Sequence, residues 1–140
     1  MIRQATTTLT IETPGQGLHD VTSPILRWVQ ASGIVVGLLT IFCQHTSASL
    51  LIQENAAPAA RRDLEAYFAG IAPEDRHRYE HDEEGPDDMP AHLRTALTAV
   101  QLSIPVIDGA PCLGTWQGIY LFEHRRAAHA RRLVLHLLGE

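Results

Sequence analysis

Residues 81 to 92 read HDEEGPDDMPAH and place five carboxylates between two histidines. Pro90 suits the first turn of a helix, and on such a helix Asp88 and His92 lie four residues apart on one face. A carboxylate and an imidazole at this spacing can share a metal ion or exchange a proton. Asp88 could instead cap the helix by accepting hydrogen bonds from its free backbone N–H groups. The loop before the helix brings His81 within possible range of either arrangement.

The donor types in this segment favour a divalent metal ion without choosing between metals. Imidazole nitrogen prefers zinc-like ions, whereas carboxylates with water suit magnesium. Asp82, Glu83 and Glu84 are predicted to be solvated, because one loop cannot direct every carboxylate at one ion. No HExxH helix is present. The segment therefore predicts a site for zinc or magnesium.

A second polar segment, HTSASLLIQEN, occupies residues 45 to 55. On a strand His45, Ser47 and Ser49 share one face, because side chains alternate. That face either lines a pocket or points to water along an edge strand, with Asn55 or Glu54 capping the helix that begins at Pro58. A serine hydrolase is disfavoured, since no GxSxG turn exposes a serine.

A third polar segment, LGTWQGIYLFEHRR, occupies residues 113 to 126. Strand alternation places Gln117 as the one amide on an otherwise mostly apolar face, with Trp116 on the opposite face. Arg125 and Arg126 follow the strand. They form either a surface pair of little energetic value or an anion clamp, since arginine can hold phosphate oxygens with two hydrogen bonds.

The composition is that of one globular domain. The 140 residues are 45% hydrophobic, the net charge is −5, and all eleven basic residues are arginine. A weakly acidic chain without a basic stripe gives little reason to expect nucleic acid as a partner. No apolar run is long enough for a membrane span, and the N-terminal residues lack a signal-peptide core. With two cysteines and no CxxC pair, the expected location is the cytoplasm.

Hydrophobic periodicity predicts strands interrupted by three helices, without a regular βαβ order. The apolar run at residues 34 to 43 is predicted to be a strand buried on both faces. The expected class is α+β with a mainly antiparallel sheet, in a single domain over residues 1 to 140. The other predicted strands are 4–12, 44–55, 101–108, 113–123 and 131–139, and the helices are 22–33, 58–72 and 90–100.

The motifs HTSASLLIQEN, EGPDDMPAH, QLSIPV with DG, and LGTWQGIYLFEHR together resemble the YjbQ-like family. The resemblance covers nearly the entire chain in order. It implies a compact α+β fold built on a β-sandwich-like sheet, assembled as a homotrimer. Members are commonly described as secondary thiamine-phosphate synthases, which join a pyrimidine diphosphate to a thiazole phosphate and release pyrophosphate. Where many members end in a Glu-x-Asp-Gly-Pro-Arg sequence, this chain has EHRR.

The resemblance also implies a set of site residues and a small phosphorylated substrate. A transferase of the thiamine-phosphate synthase type is the first expected function. A metal-dependent binding protein or hydrolase acting on a small anionic metabolite is the alternative. The assigned roles are a divalent ion on His45, His81 and His92; catalysis by Asp88, Glu54 and Gln117; and substrate binding by Ser47, Arg125 and Trp116.

Overall fold

A computed structural model describes all residues, 1–140, as eight strands, three α-helices and one short 3-10 helix. The strands are β1 (Arg3–Thr13), β2 (Gly17–Asp20), β3 (Gly37–Cys43), β4 (Ala48–Glu54), β5 (Gln101–Ile107), β6 (Ala110–Pro111), β7 (Gln117–Glu123) and β8 (His129–Gly139). The α-helices are α1 (Thr22–Ser32), α2 (Pro58–Ile71) and α3 (Asp88–Leu97), and the 3-10 helix is Arg76–Arg78.

The strands form two antiparallel sheets. One has five strands in the order β1-β8-β3-β5-β6, and the other has three in the order β2-β7-β4. The predicted α+β class, with its sandwich-like antiparallel sheets and flanking helices, is confirmed. None of the three helices is both long and apolar enough to cross a membrane.

The core lies between the two sheets and α1, where side chains from each element are fully buried. Leu39 of β3 and Leu135 of β8 meet Leu121 of β7 in one cluster. Ile25 and Val29, which lie four residues apart on α1, belong to the same cluster. The long strands β1 and β8 alternate more and less buried residues because one face of their sheet is toward this core, whereas Gly118–Glu123 of β7 are buried on both faces.

The prediction that residues 34 to 43 are buried on both faces is wrong. Leu39 and Ile41 are buried, but Leu38 is 47% exposed and Phe42 is 45% exposed. The helices pack elsewhere: α1 contacts β6 and β7, α2 contacts β2, and α3 contacts β4. The outer face of the five-stranded sheet is therefore uncovered and carries apolar side chains at its centre.

Three predicted strands begin later than the sequence pattern indicates, and the first of them is β3, which begins at Gly37 rather than at residue 34. Gln117 folds back onto Gly114, donating its backbone N–H to the carbonyl at 3.0 Å and accepting the Gly114 N–H with Oε1 at 2.8 Å. This turn delays β7 until Gln117, so Trp116 precedes the strand. The segment His45–Ser47 also lies outside a strand, because the chain crosses there from the first sheet to the second.

Candidate functional site

The side chains of His81, Asp88 and His92 meet at the start of α3. Asp88 is buried, and its Oδ2 lies 3.0 Å from Nε2 of His81 and 3.1 Å from Nε2 of His92. The four-residue spacing places Asp88 and His92 on one helix face, as predicted. His81 reaches the same oxygen from the preceding loop.

Asp88 does not cap the helix. Asp88 is the first residue of α3, and the capping position belongs to Asp87. Neither carboxylate accepts a capping hydrogen bond from the backbone N–H groups of the first turn. Instead Oδ1 of Asp88 accepts a hydrogen bond from Nη1 of Arg125 at 2.9 Å. Both oxygens of this buried carboxylate are thus committed to side chains, which fixes its orientation.

The Arg125 guanidinium holds the acidic loop in place. Its Nε donates to Oδ2 of Asp87 at 3.1 Å, and its Nη2 donates to the carbonyl of Glu84 at 3.0 Å. Partial burial opposes the charge, but the hydrogen bond to Asp87 and the charges of Asp87 and Asp88 outweigh it and raise the pKa of Arg125. All three nitrogens have protein partners, so Arg125 positions Asp88 in this structure, and the phosphate clamp that the sequence predicts stays a prediction.

The four donors His81, Glu84, Asp88 and His92 fit a divalent ion. One ligand atom from each lies within 4.8 Å of all the others. Metal–ligand distances near 2.0–2.1 Å at tetrahedral angles require ligand atoms about 3.3 Å apart, close to the two observed N···O distances. The carboxylate of Glu84 is 63% exposed, as predicted, but its Oε2 lies 3.8 Å from Nε2 of His81.

His45 lies outside this cluster. Its Nε2 accepts the backbone N–H of Arg132 at 2.8 Å, which leaves the ring proton on Nδ1, beside Nη1 of Arg131 at 3.4 Å. Burial, and then the charge of Arg131, lowers the pKa of His45. His45 is therefore neutral in the neutral pH range, and its one acceptor nitrogen is already used.

A pocket nonetheless connects His45 with the cluster. Its volume is about 740 Å³, and both His45 and His92 line it. The remaining lining residues are uncharged and include Gln44, Thr46 and Thr98. The pocket thus offers neutral hydrogen-bonding groups beside one of the candidate metal ligands.

Ser47 belongs to a buried ion-pair network that the sequence did not reveal. Its Oγ accepts a hydrogen bond from Nη2 of Arg131 at 3.0 Å. Arg131 in turn donates Nε to Oε1 of the fully buried Glu123 at 2.7 Å. Glu123 also accepts the hydroxyl of Thr13 at 2.6 Å and the backbone N–H of Arg125 at 3.1 Å. The one visible signal was a carboxylate at the end of the apolar run IYLF.

His124, whose role the sequence left open, is structural. It is fully buried, and its Nε2 lies 2.8 Å from Oγ of Ser49, which also accepts the hydroxyl of Thr98 at 2.6 Å. Burial, with a further contribution from the charge of Arg94, lowers the pKa of His124 to about 3. The ring is neutral and holds β4, β7 and the end of α3 together.

The structure does not bring the other three predicted residues to Asp88. Glu54 pairs with Gln117 at one end of the β4–β7 ladder, whereas Ala48 pairs with Glu123 at the other. Six residues of strand separate the two ends by about 20 Å. Glu54 Oε2 accepts the N–H of Ala57 at 2.8 Å, the Gln117 amide closes its own turn, and Trp116 is 63% exposed.

The family described as UPF0047 protein YjbQ-like matches residues 7–140. A UPF0047 protein of Synechocystis, sll1880, is 51% identical over 99% of this chain and 94% of its own length. UPF0047 protein YjbQ of Escherichia coli O157:H7 is 43% identical over 95% of this chain and 96% of its own. The crystal structure of a YbjQ-like protein of unknown function from Sulfolobus solfataricus superimposes with a TM-score of 0.92, at 25% identity over 100% of both chains.

These findings correct the function that the resemblance implied. The family and its members are described only as UPF0047 proteins, and the Sulfolobus protein as one of unknown function. None is described as a thiamine-phosphate synthase or as a transferase, so the prediction of that activity, and of a transferase, is wrong. The family itself is confirmed by the match over residues 7–140 and by relatives that align over almost their whole length. This chain belongs to the UPF0047 YjbQ-like family.

Proposed function

We propose that this protein binds a divalent ion of the zinc type through His81, Asp88 and His92, and holds a small phosphorylated molecule beside it. The observation that carries the proposal is the convergence of both imidazoles on one oxygen of the buried Asp88, at 3.0 and 3.1 Å. Without an ion, both rings donate to the same carboxylate oxygen. With an ion, the same three atoms need to separate only by a few tenths of an ångström.

The donor set favours zinc over magnesium. Two imidazole nitrogens with one carboxylate oxygen form a set that suits zinc, whereas magnesium requires oxygen ligands. Glu84 is near enough to supply a further oxygen. Arg125 orients Asp88 from behind, as groups outside the ligand set commonly do at metal centres.

The neighbouring pocket supports a small anionic ligand. None of its lining residues carries a carboxylate, so a phosphate there meets no direct repulsion from the wall. An ion of this type, when bound, polarises a phosphoryl oxygen or lowers the pKa of a water molecule. His45 and the hydroxyls of Thr46 and Thr98 are placed to orient the remainder of the molecule.

Replacing His92 with alanine is expected to weaken zinc binding at least tenfold, because one of three ligands is lost. Calorimetric titration with zinc measures this, and wild-type protein should bind one ion per chain more tightly than it binds magnesium. His19→Ala is the matched control, since His19 lies on β2 and its Nε2 contacts the Gly15 carbonyl at 2.9 Å rather than the cluster. Equal zinc affinity of the wild type and His92→Ala would refute the metal centre.

We also propose a homotrimer, assembled through the uncovered face of the five-stranded sheet. Leu38 and Leu138 lie opposite each other there, Phe42 lies four residues further along β3 on the same face, and each of the three is nearly half exposed. Light scattering should give three times the chain mass of 15.4 kDa. Leu138→Glu should reduce that mass, whereas Tyr67→Glu, at an exposed aromatic residue on α2, should not. A monomeric wild type would contradict this assembly.

We also propose that the protein is located in the cytoplasm. Both cysteines are free, Cys43 buried and Cys112 exposed. Unpaired thiols are the usual state in a reducing compartment.

A further inference from the structure

A second pocket lies between α2 and the end of β7, and nothing in the proposed metal centre uses it. Its volume is about 550 Å³, and it shares no lining residue with the pocket beside His92. The volume is in the range of about 300–1,000 Å³ that small-molecule sites occupy. Its charged lining residues are three arginines and three glutamates: Arg62, Arg94, Arg126, Glu65, Glu74 and Glu123.

Arg94 is the unusual member, because it is a buried cation without a contacting anion. It is 7% exposed, and no carboxylate lies within ion-pair distance of it. Its Nη2 donates to the carbonyl of Ala72 at 2.8 Å, whereas its Nε is buried without any partner. Burial lowers the pKa of Arg94, a cost that the more distant charge of Glu74 only partly offsets. A buried guanidinium left in this state is destabilising unless an anion joins it.

Two of the three glutamates are already neutralised by other arginines. Glu74 forms an ion pair with Arg126. Glu123 forms one with Arg131 outside the pocket. Neither carboxylate is therefore available to Arg94.

The remaining charges leave the pocket positive. Glu65 accepts the backbone N–H of Leu18 at 2.9 Å and contributes one negative charge. Arg62 is exposed on α2 and, like Arg94, forms no ion pair. Two unpaired guanidiniums thus face one carboxylate, which favours an anionic ligand.

We propose that this pocket binds a small molecule through an oxyanion group, a phosphate or a carboxylate. Arg94 offers that group the N–H donors that the Ala72 carbonyl does not use, because guanidinium binds both anions through paired N–H···O hydrogen bonds. Arg62 adds a second positive charge from the rim. The binding needs no divalent ion and is independent of the proposed metal centre.

Calorimetric titration of the full-length protein with inorganic phosphate, and separately with malonate, tests this proposal. The buffer contains a chelator and constant ionic strength, so that the metal centre contributes nothing. The wild type is expected to bind one phosphate or one malonate per chain, and the tighter of the two probes identifies the anion. Arg62→Gln should lower that affinity about fivefold, as expected for one exposed charged contact.

Arg94→Met should lower the affinity at least tenfold, since it removes the buried hydrogen-bond donors. Because the variant also loses the hydrogen bond to the Ala72 carbonyl, the deciding measurement is the rise in melting temperature on adding phosphate or malonate, which should occur in the wild type and be absent from Arg94→Met. A merely structural arginine would leave the same anion-induced rise in both proteins. If Arg94→Met does not fold, Arg62→Gln still decides the matter.

Arg27→Gln is the matched control for Arg62→Gln. Arg27 is an exposed helical arginine on α1, outside the pocket, and the charge change is the same. It should bind phosphate and malonate as the wild type does. Absence of binding by the wild type at millimolar concentration, or equal affinity in all variants, would overturn the proposal.

Discussion

Replacing Glu123 with glutamine is expected to lower the free energy of unfolding by about 3–5 kcal/mol, the range for breaking a buried ion pair at one partner. Glu123 is fully buried and faces Arg131, whose side chain is 5% exposed. The amide can accept some of the same hydrogen bonds but leaves the Arg131 charge uncompensated. Urea denaturation at pH 7, followed by circular dichroism, measures the loss.

The same carboxylate gives this effect a pH dependence of known sign. Burial alone would raise the pKa of Glu123, but hydrogen bonds from Arg131 and Thr13 outweigh it and hold the pKa below the ordinary value of 4.5. A depressed pKa in the folded state means that the stabilisation is fully present above pH 4.5. It is lost as the pH falls through the folded-state pKa. The difference between the wild type and Glu123→Gln should therefore shrink under acidic conditions.

Glu12→Gln provides the control for this prediction. Glu12 lies on β1 with its side chain exposed, and the same charge change there should alter the unfolding free energy by less than about 0.5 kcal/mol. If Glu123→Gln were as stable as Glu12→Gln, the buried network would not support the end of β7. Arg125, whose backbone N–H is bound by Glu123, would then need another anchor.

Local patterns accounted for most of the fold. The sequence predicted strands over residues 4–12 and 131–139, which the structure pairs as β1 and β8, and the helix signals placed α1, α2 and α3 within a few residues. Such patterns involve only residues that are close together along the chain. The double-sided burial predicted for residues 34–43 was wrong because an apolar run does not show which of its two faces another element covers.

Only the part of the candidate site that lies within a single helix could be predicted from the sequence. Asp88 and His92 share one helix, so their four-residue spacing was sufficient. Whether His81 or His45 joined them depended on how a loop and a crossover between sheets are placed. The structure brings in His81 and keeps His45 on the neighbouring pocket wall.

The same limit applies to the supporting residues. Glu54 and Gln117 lie in polar motifs, but the register of β4 against β7 sets them at the far end of the ladder from Glu123. Glu123 and Arg131 are eight residues apart and lie in different sheets, so neither periodicity nor spacing relates them. Tertiary packing alone makes their ion pair.

Replacing Asp88 with asparagine is expected to weaken zinc binding by about a hundredfold or more. This loss of affinity is larger than the loss expected for His92→Ala. Asp88 supplies the one buried negative charge to the proposed ion, and its Oδ2 is the atom on which both imidazoles converge. The amide is a poor ligand for zinc, and it also removes the charge that faces Nη1 of Arg125. Competition with a chromophoric chelator measures affinities over this range.

Asp82→Asn is the matched control, because Asp82 lies in the same acidic segment, is exposed and undergoes the same charge change. It should bind zinc nearly as the wild type does, since a solvated charge outside the ligand set contributes only a screened attraction. Circular dichroism of Asp88→Asn must show a folded protein, so that lost affinity reports the ligand and not the fold. Equal losses in Asp82→Asn and Asp88→Asn would indicate that zinc is attracted by the acidic loop as a whole. A loss confined to Asp88→Asn requires a defined centre, because only there do two imidazoles share a carboxylate oxygen.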